Sequence, residues 1–496
     1  MGKEFVIGLD IGTTSAKSVL FNKRGDVFSE YEVSYPLIFP KKGWVEQDPY
    51  VIEKAAIKAV RQSIERSNIN KHEIISVGIS SAMHSLICVD ENGEALTHSI
   101  TWADGRGVDQ ANRLRDSDLG KELYKKTGTP SHPMTPLVKL MWMKEGNFNP
   151  YRKAAKYISI KEFLLFHWFN EWVVDYSVAS ATGLFNCKNL IWEPSALVFA
   201  GITEDQLSHP VPPTYVLEGL KKEIADEMGI PLIPFTIGAS DGPLANIGIG
   251  AIEHGNTAIT IGTSGAIRQL VSSPKIDSKE EIFCYAVTKD LYVIGGPTNN
   301  GGIIFDWLKD VFVDKSEIQT AQNIGRNPYD LLIDTAKKAE PGSDGLIFHP
   351  YLNGERAPFW NNTVRGGYVD LTLKHKKEQL IRAALEGVMF NLYYIYQAVE
   401  RTAGSSHSLY ASGGFSRSSF LVQLLADVFG QEVYIPKNHQ SSAWGAAWFS
   451  LLSLGYVTDL NSIKESIPMD DPVSPSRENH RIYKEAFKRF TEVLPK

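Results

Sequence analysis

The chain has 496 residues, too many for one hydrophobic core, which points to two domains of about 200 to 250 residues. Hydrophobic residues make up 43% and charged residues 22%, ordinary for a soluble globular protein, and no run of ~18 apolar residues exists to span a membrane. A net charge of −6 leaves no electrostatic footprint for nucleic acid or an anionic membrane, and the separated cysteines Cys88, Cys187 and Cys284 give neither a disulfide framework nor a metal-ligand spacing. Such cysteine usage fits a reducing compartment, so the expected location is cytoplasmic. The N-terminus enters a strand almost at once, with no basic and apolar leader.

Residues 5–21, FVIGLDIGTTSAKSVLF, read as two short apolar strands folded on a small, hydroxylated turn over 10–15. A Gly followed by Thr-Thr-Ser leaves backbone N–H groups and hydroxyls uncovered at a hairpin tip, which suits phosphate oxygens. Asp10 at the strand end suits a magnesium ion held through water, and Lys17 adds positive charge. The pattern recurs 250 positions later in TAITIGTSGAIRQL, residues 257–270. There Ile261-Gly262-Thr263-Ser264 match Ile11-Gly12-Thr13-Thr14, while Thr260 and Ile267 stand where Asp10 and Lys17 would be. Two such hairpins predict a duplicated domain, each half offering a phosphate-binding tip to a shared cleft.

Residues 31–37 read as a strand, Asp48-Pro49 as a helix start followed by apolar residues at helical spacing to Ile64, and 74–80 as a buried strand. Ser81-Ala82-Met83-His84-Ser85 ends that strand, a place where open α/β sheets bind ligands; the plain alternative makes Met83 and His84 packed core residues. Residues 86–93 read as a further hairpin. In TWADGR, Trp102, Asp104 and Arg106 are spaced two apart and are expected on one side of a strand end. A ring there covers sugar C–H surface while the charges bond hydroxyls; a surface salt bridge beside a core Trp is the alternative. Residues 127–136, with three prolines, are loop, and 137–144 are helix. The aromatic-rich 157–174 read as core and sheet insertion, and 175–186 as a strand with polar ends and no assigned role.

Residues 232–237 read as a strand ending in GASDGP, and 244–250 open a helix. Asp241 therefore falls at a strand-to-helix turn, where a helix N-terminus favours an ionised carboxylate, although Asp-Gly is also a common turn dipeptide. A hinge is expected over 248–255. Residues 343–358 form a rigid loop with the charged pair Glu355-Arg356. Residues 378–399 are a long helix with Gly387 at a close-packing point. Residues 409–417 are a strand followed by Gly413-Gly414, where a flat base or a phosphate can approach the backbone, and Ser418 caps the next helix. A small-residue helix over 442–454 and a charged tail without an assigned element complete the chain. No GxxxxGK[ST], HRD or DFG, HExxH or CxxC occurs, which excludes a Walker-type NTPase, a protein kinase and a protein-held zinc.

The blocks DIGTTSAK, WVEQDP, SSAMHS, TWADGR, GASDGP, TIGTSG, YLNGERAP and ASGGFSRS, in this order, resemble the FGGY family of carbohydrate kinases, within the actin, Hsp70 and hexokinase superfamily. The resemblance runs from Gly8 to about Gly455. SSAMHS, TWADGR, TGTPSHPM and NGERAPFW look most like the gluconokinase branch; xylulokinases share the GER block and a similar Met-His. The resemblance implies an α/β fold of two RNase H-like domains flanking a central cleft. Residues 1–248 would hold the sugar site, the first phosphate loop and the catalytic Asp, and 249–496 the second phosphate loop and the adenosine site. It implies Asp241 as general base and, with Asp10, as a magnesium neighbour. Gly12, Thr13, Thr14, Ser15 and Lys17 match the first phosphate loop, Gly262, Thr263 and Ser264 the second, and Gly413, Gly414 and Phe415 the adenosine loop. Met83, His84, Trp102 and Asp104 occupy sugar-site positions.

The reaction so implied is ATP- and Mg2+-dependent phosphorylation of a sugar acid, D-gluconate to 6-phosphogluconate. The alternatives are another sugar kinase of the family, such as a xylulokinase, and a non-catalytic actin- or Hsp70-like ATP switch. An acid substrate calls for cations, and His84, His132, Arg106 and Arg356 are the candidates. The expected partners are the small sugar and ATP, with no nucleic acid and no membrane; a homodimer is left open.

Overall fold

The computed structural model describes residues 4–437 and 440–495, so the N-terminal stretch read for a leader lies outside the described residues. The chain forms two compact units, each discontinuous in sequence. One comprises Met1–His254, Leu270–Ile294 and Gln440–Pro468, the other Gly255–Gln269, Gly295–His439 and Met469–Lys496. The expected split at residue 248 follows the repeat of the two hairpins; in space, residues 441–453 and 270–294 join the first unit.

In the first unit, β1 (Phe5–Ile11) and β2 (Ser15–Asn22) form the expected antiparallel hairpin. The strands run further into the turn than the small residues suggested, pairing Asp10 with Lys17 and Ile11 with Ala16, so that only Gly12-Thr13-Thr14 remain as tip. β3 (Val27–Ser34) continues the meander. α1 (Pro49–Ser67) starts where expected, with the Asp48 carboxylate accepting from the N–H groups of Tyr50 and Val51. β4 (Ile74–Ser81) returns parallel to β1. With β5 (Val216–Leu217) and β6 (Phe235–Ser240) the sheet order is β5–β6–β4–β1–β2–β3, β6 being parallel to β4. α2 (Asp241–Gly248) leaves the end of β6.

The helix Ser441–Ser453 lies directly on the backbone of this sheet. A Cβ at Gly8 of β1 or Gly78 of β4 would stand 2.0 Å from the carbonyl oxygen of Ala443 or Ala446, and one at Gly248 would stand 1.8 Å from that of Ser441. Glycine here is a requirement of close approach between backbones.

Four stretches of the first unit depart from the sequence reading. The aromatic-rich segment is mainly the helix Ile160–Phe169, because Ser159 and Glu162 make a capping box, and only Lys156–Ile158 joins a strand. Its partner is Ile87–Val89, so the 86–93 hairpin is reduced to one bridge between Val89 and Ala95. Beyond Ser99–Ile100 the TWADGR segment is turn, not strand. Residues 176–180 are a short helix capped by Asp175, where a strand was expected.

In the second unit, β7 (Asn256–Ile261) pairs antiparallel with β8 (Gly265–Val271). With β9 (Leu291–Thr298), β10 (Ser408–Ser412) and β11 (Val433–Tyr434), the order is β9–β8–β7–β10–β11, with β7, β10 and β11 parallel. This repeats the β3–β2–β1–β4–β6 order of the first unit, the mixed-sheet arrangement of an RNase H-like domain. The long helix is Lys377–Ala403, and a Cβ at Gly387 would lie 2.2 Å from the carbonyl oxygen of Phe348. The charged tail holds a helix, Arg477–Glu492, that buries Tyr483, Phe487 and Phe490 at i, i+4 and i+7; its dense charge masked that stripe. No described helix is long and apolar enough to cross a membrane.

Gly78→Ala is expected to lower the free energy of unfolding by about 3 kcal/mol, at the upper end for overpacking. Gly367→Ala, with nothing within 4 Å of the added carbon and no positive φ, is expected to change it by less than about 0.5 kcal/mol. Urea denaturation measures both.

Candidate active site

Three parallel strands bring their C-terminal ends into register. Asp10 of β1 stands beside Ser80 of β4, which stands beside Ala239 of β6, and Ile11, Ser81 and Ser240 form the next row. Asp241 follows Ser240 as the first residue of α2, where the helix N-terminus favours negative charge, and its carboxylate accepts from the N–H of Gly242 at 2.7 Å. Asp10 accepts from the Ser80 hydroxyl at 2.6 Å. Burial, and then the negative charge of Asp241, push the Asp10 carboxyl up to about 6, against the opposing effects of Ser80 and Lys17. Two carboxylates distant in sequence thus share one electrostatic site. Among the described residues no group of three or more His, Cys, Asp or Glu is placed to hold a metal. A pair of carboxylates still fits Mg2+, which keeps waters and draws its remaining oxygens from phosphates.

The first hairpin tip is held from several sides. Gly12 N–H donates to Ser15 O at 2.9 Å, and the Tyr35 hydroxyl donates toward the carbonyls of Gly12 and Ser15 at 2.6 and 2.9 Å. Gln47 donates to the Thr13 carbonyl at 2.6 Å, and the Trp102 indole N–H donates to the Thr13 hydroxyl at 2.8 Å. Thr14 is exposed. The Ser15 hydroxyl donates to Glu32, and the Lys17 ammonium lies 3.5 Å from Glu30, so β3 carboxylates engage both side chains.

The segments SSAMHS, TWADGR and TGTPSHPM meet around a residue the sequence reading passed over. Lys139 is fully buried, and its ammonium donates to the carbonyls of His84, Ile100 and Met134, the last two at 3.2 and 2.8 Å. One side chain therefore ties SSAMHS, the entry to TWADGR and the TGTPSHPM loop. A lysine inside the apolar run Leu137-Val138-Lys139-Leu140-Met141 was the available signal, since a cation in a buried stretch needs partners. His84 has φ 68 and its Nδ1 lies 2.7 Å from the Ala181 carbonyl; its ring lies 6.1 Å from that of Tyr285. His132 Nδ1 accepts from the Met134 N–H at 3.2 Å. Met83 is half-buried.

Trp102, Asp104 and Arg106 do not share one side of a strand, because the chain turns after Ile100. Trp102 reaches the first hairpin tip. Asp104 and Arg106 bond each other twice, at 2.8 Å. Asp104 also accepts from Val45 N–H at 2.7 Å, while Arg106 reaches Glu46 at 2.5 Å and lies 3.9 Å over the Trp44 ring. Arg356 belongs to the second unit. Its guanidinium donates to Thr298 O at 3.1 Å, beside a buried Glu355 that accepts from Thr298, Asn299, Asn300 and Asn391.

The second tip closes as the first does, Gly262 N–H donating to Ser264 O at 2.9 Å. The helix Gly302–Phe312 starts against it, with the N–H groups of Gly302 and Ile303 donating to Gly262 O and Thr263 O at 2.7 and 3.0 Å. Gly413 has φ 102, and a Cβ there would lie 2.3 Å from Ile261 O. Gly262, Thr263, Gly414 and Phe415 line a cavity of about 390 Å³, together with Phe305, Asp306, Tyr329, Asp330 and Arg417; Ser264 and Gly413 stand just outside its lining. The volume suits a nucleotide, with aromatic walls for a base and polar groups for its sugar and phosphates.

The model of the N-terminal domain of the FGGY family of carbohydrate kinases matches residues 5–248, and that of the C-terminal domain matches residues 257–454. Gluconokinase of Bacillus subtilis (strain 168) is 46% identical over 495 residues, 99% of this chain and 96% of its own length. The crystal structure of gluconate kinase from Lactobacillus acidophilus is 36% identical with a TM-score of 0.94, over 99% of this chain and 98% of that one. A ligand-bound xylulose kinase from the same species is 35% identical with a TM-score of 0.93, over 99% and 97%.

The shifted carboxyl has a consequence for stability. Folded Asp10 keeps its proton up to about pH 6, whereas the unfolded residue releases it near 3.8. The folded state therefore binds more protons in that window, and stability falls as pH rises through it. Asp10→Asn is expected to exceed the parent in stability by about 1–3 kcal/mol at pH 7.5, with the advantage gone below about pH 4. Denaturant titration without Mg2+ measures the difference.

Proposed function

The chain belongs to the FGGY family of carbohydrate kinases, ATP-dependent enzymes acting on sugars, and from that premise we propose that its acceptor is D-gluconate, phosphorylated to 6-phosphogluconate in the cytoplasm. Asp241 is the general base in this reading. The observation that carries it is the electrostatic coupling of Asp241 to Asp10 where three parallel strands end, Asp241 following directly on the row of Ile11, Ser81 and Ser240.

The primary 6-hydroxyl gives its proton to the Asp241 carboxylate as its oxygen attacks the γ-phosphorus. The new O–P bond forms while the bond to the β,γ-bridging oxygen breaks, and ADP leaves. Phosphoryl transfer needs mainly positioning and charge neutralisation. Gly12, Thr13, Thr14 and Ser15, with Lys17, and on the other tip Gly262, Thr263 and Ser264 offer N–H groups, hydroxyls and one ammonium to phosphate oxygens. For that role Ser15 and Lys17 must exchange Glu32 and Glu30 for phosphate. Gly413, Gly414 and Phe415 hold the adenosine. Mg2+, held by Asp10 and Asp241 when bound, would neutralise phosphate charge.

Met83, His84 and Trp102 take the sugar. Asp104 and Arg106 spend their hydrogen bonds on each other, on Val45 and on Glu46, so they brace the loop that carries Trp102. An acidic sugar is favoured by the imidazoles of His84 and His132, since a carboxylate leaving water needs such donors. Xylulose is the second reading, favoured by the similarity to the xylulose kinase structure.

A coupled ADP-release assay across gluconate, xylulose, ribulose, glycerol and fuculose decides between them. Gluconate is expected to lead in kcat/KM by at least ~10-fold, and a neutral sugar in front rejects the acid. Asp241→Asn is expected to keep ATP binding and to lose turnover by a factor on the order of a hundred or more. Near-normal turnover removes Asp241 from the role of base.

A further inference from the structure

The segment around Asp175, without a role in the sequence reading, reaches the catalytic turn through a buried chain of contacts. Lys161, Asp175, Ser177 and Ser240 are all fully buried. The Lys161 ammonium donates to Asp175 Oδ2 at 2.7 Å and to the Ala239 carbonyl at 3.1 Å. Asp175 Oδ1 accepts from the Ser177 hydroxyl at 2.5 Å and from the N–H groups of Ser177 and Val178 at 3.0 and 3.1 Å. The Ser177 hydroxyl oxygen in turn accepts from the Ser240 N–H at 2.8 Å.

The Ala239 carbonyl and the Ser240 N–H belong to one peptide plane. A planar peptide held at both ends has no freedom to rotate, and only the backbone dihedrals of Ser240 and Asp241 and the side-chain torsions of Asp241, restrained by the Gly242 N–H, separate it from the catalytic carboxylate. The local strand explains why side chains must do this work. The register of β6 shifts between Thr236 and Ala239, and Gly238 there has φ 62, with Ile79 O 2.0 Å from where a Cβ would stand. Such a bulge turns backbone groups out of the ladder and is a common way to re-aim a side chain. Ser240 is the N-cap of α2 but makes no side-chain cap, and its hydroxyl has no hydrogen-bond partner. The turn that presents Asp241 is thus held from outside, by Lys161 and Ser177.

We propose that the Lys161–Asp175–Ser177 relay is a positioning device for Asp241: it clamps the 239–240 peptide so that the carboxylate meets the acceptor hydroxyl in a reactive geometry. This rests on Asp241 being the general base. A buried ion pair is a poor source of net stability, because desolvation offsets its attraction, and specifying one conformation is its better-attested use. Misplacement of a reacting group by about 1 Å costs on the order of 100-fold in rate, so loss of one clamp contact is expected to act on turnover before binding.

The test compares Ser177→Ala and Ser177→Cys with the parent enzyme for kcat, for KM of ATP and of gluconate, and for melting temperature. Ser177→Ala is expected to lower kcat by about 10- to 30-fold with both KM values within about twofold. Ser177→Cys, similar in size and a weak acceptor, is expected to fall between, and it carries the test alone if the alanine variant does not fold. Asp175→Asn is expected to lower kcat as well, and the Ser177→Ala/Asp175→Asn double variant to be no worse than the poorer single, since both act through one peptide. Wild-type kcat in the Ser177 variants, or a parallel change in KM for ATP and melting temperature, overturns the relay. Asp241→Asn separates the two levels: inactive Asp241→Asn beside wild-type Ser177 variants refutes the relay alone, whereas active Asp241→Asn refutes the base and the relay together.

Discussion

The register of three parallel strands is the constraint from which the chemistry of the first unit follows. Parallel neighbours end at the same edge, so Asp10, Ser80 and Ala239 stand abreast although the chain visits them far apart. An open sheet binds its ligands at this edge because the connections leave the strand ends uncovered there. Slipping β1 or β6 by one residue would turn Asp10 to the other face or move Asp241 a full residue along the edge. The register is itself protected by packing. Glycines on β1, β4 and α2 let the helix Ser441–Ser453 rest on bare backbone, and any side chain at those positions would push it away.

That arrangement has an electrostatic cost. Two carboxylates at one site raise each other's energy when ionised, and burial adds to this at Asp10. The fold compensates locally. Ser80 donates to Asp10, the helix N-terminus of α2 faces Asp241, and the ammonium of Lys161 attracts Asp10 from within the core. Burial lowers the Lys161 pKa while Asp175 holds it up. Lys139 is a second buried lysine whose partners are main-chain carbonyls, and burial lowers its pKa to about 7. Each buried lysine ties together segments that are distant in sequence.

The two units share a plan and divide the labour. Both hairpin tips close with the glycine N–H on the serine carbonyl three or two residues on, at the same 2.9 Å. Only the first carries a carboxylate on its strands, at Asp10, with Lys17 opposite it; the second has Thr260 and Ile267 at those positions, carries Arg268 one residue on, and abuts a helix N-terminus and a 390 Å³ cavity. The two hairpins share one scaffold and differ in a few polar residues.

Much of this was legible in the chain because it is encoded locally. Strands 5–11 and 74–81, the Asp48 cap, the turn at Gly413 and the close-packing Gly387 follow from periodicity, capping and steric need, which act over a few residues. The repeated Gly-Thr tip and the ordered blocks identified the family for the same reason. What misled was also local: alternation in TWADGR suggested a strand, and aromatic density over 157–174 hid a helix whose signal was the Ser159–Glu162 box. The tertiary structure alone decided that Arg106 would be consumed by Asp104 and Glu46, that Lys139 would collect the distant carbonyls of His84 and Ile100, and that Lys161 and Ser177 would grip one peptide ahead of Asp241. Hydrogen-bond partners of buried charges come from whatever segments the fold brings within 3 Å, and no spacing along the chain records which segments those are.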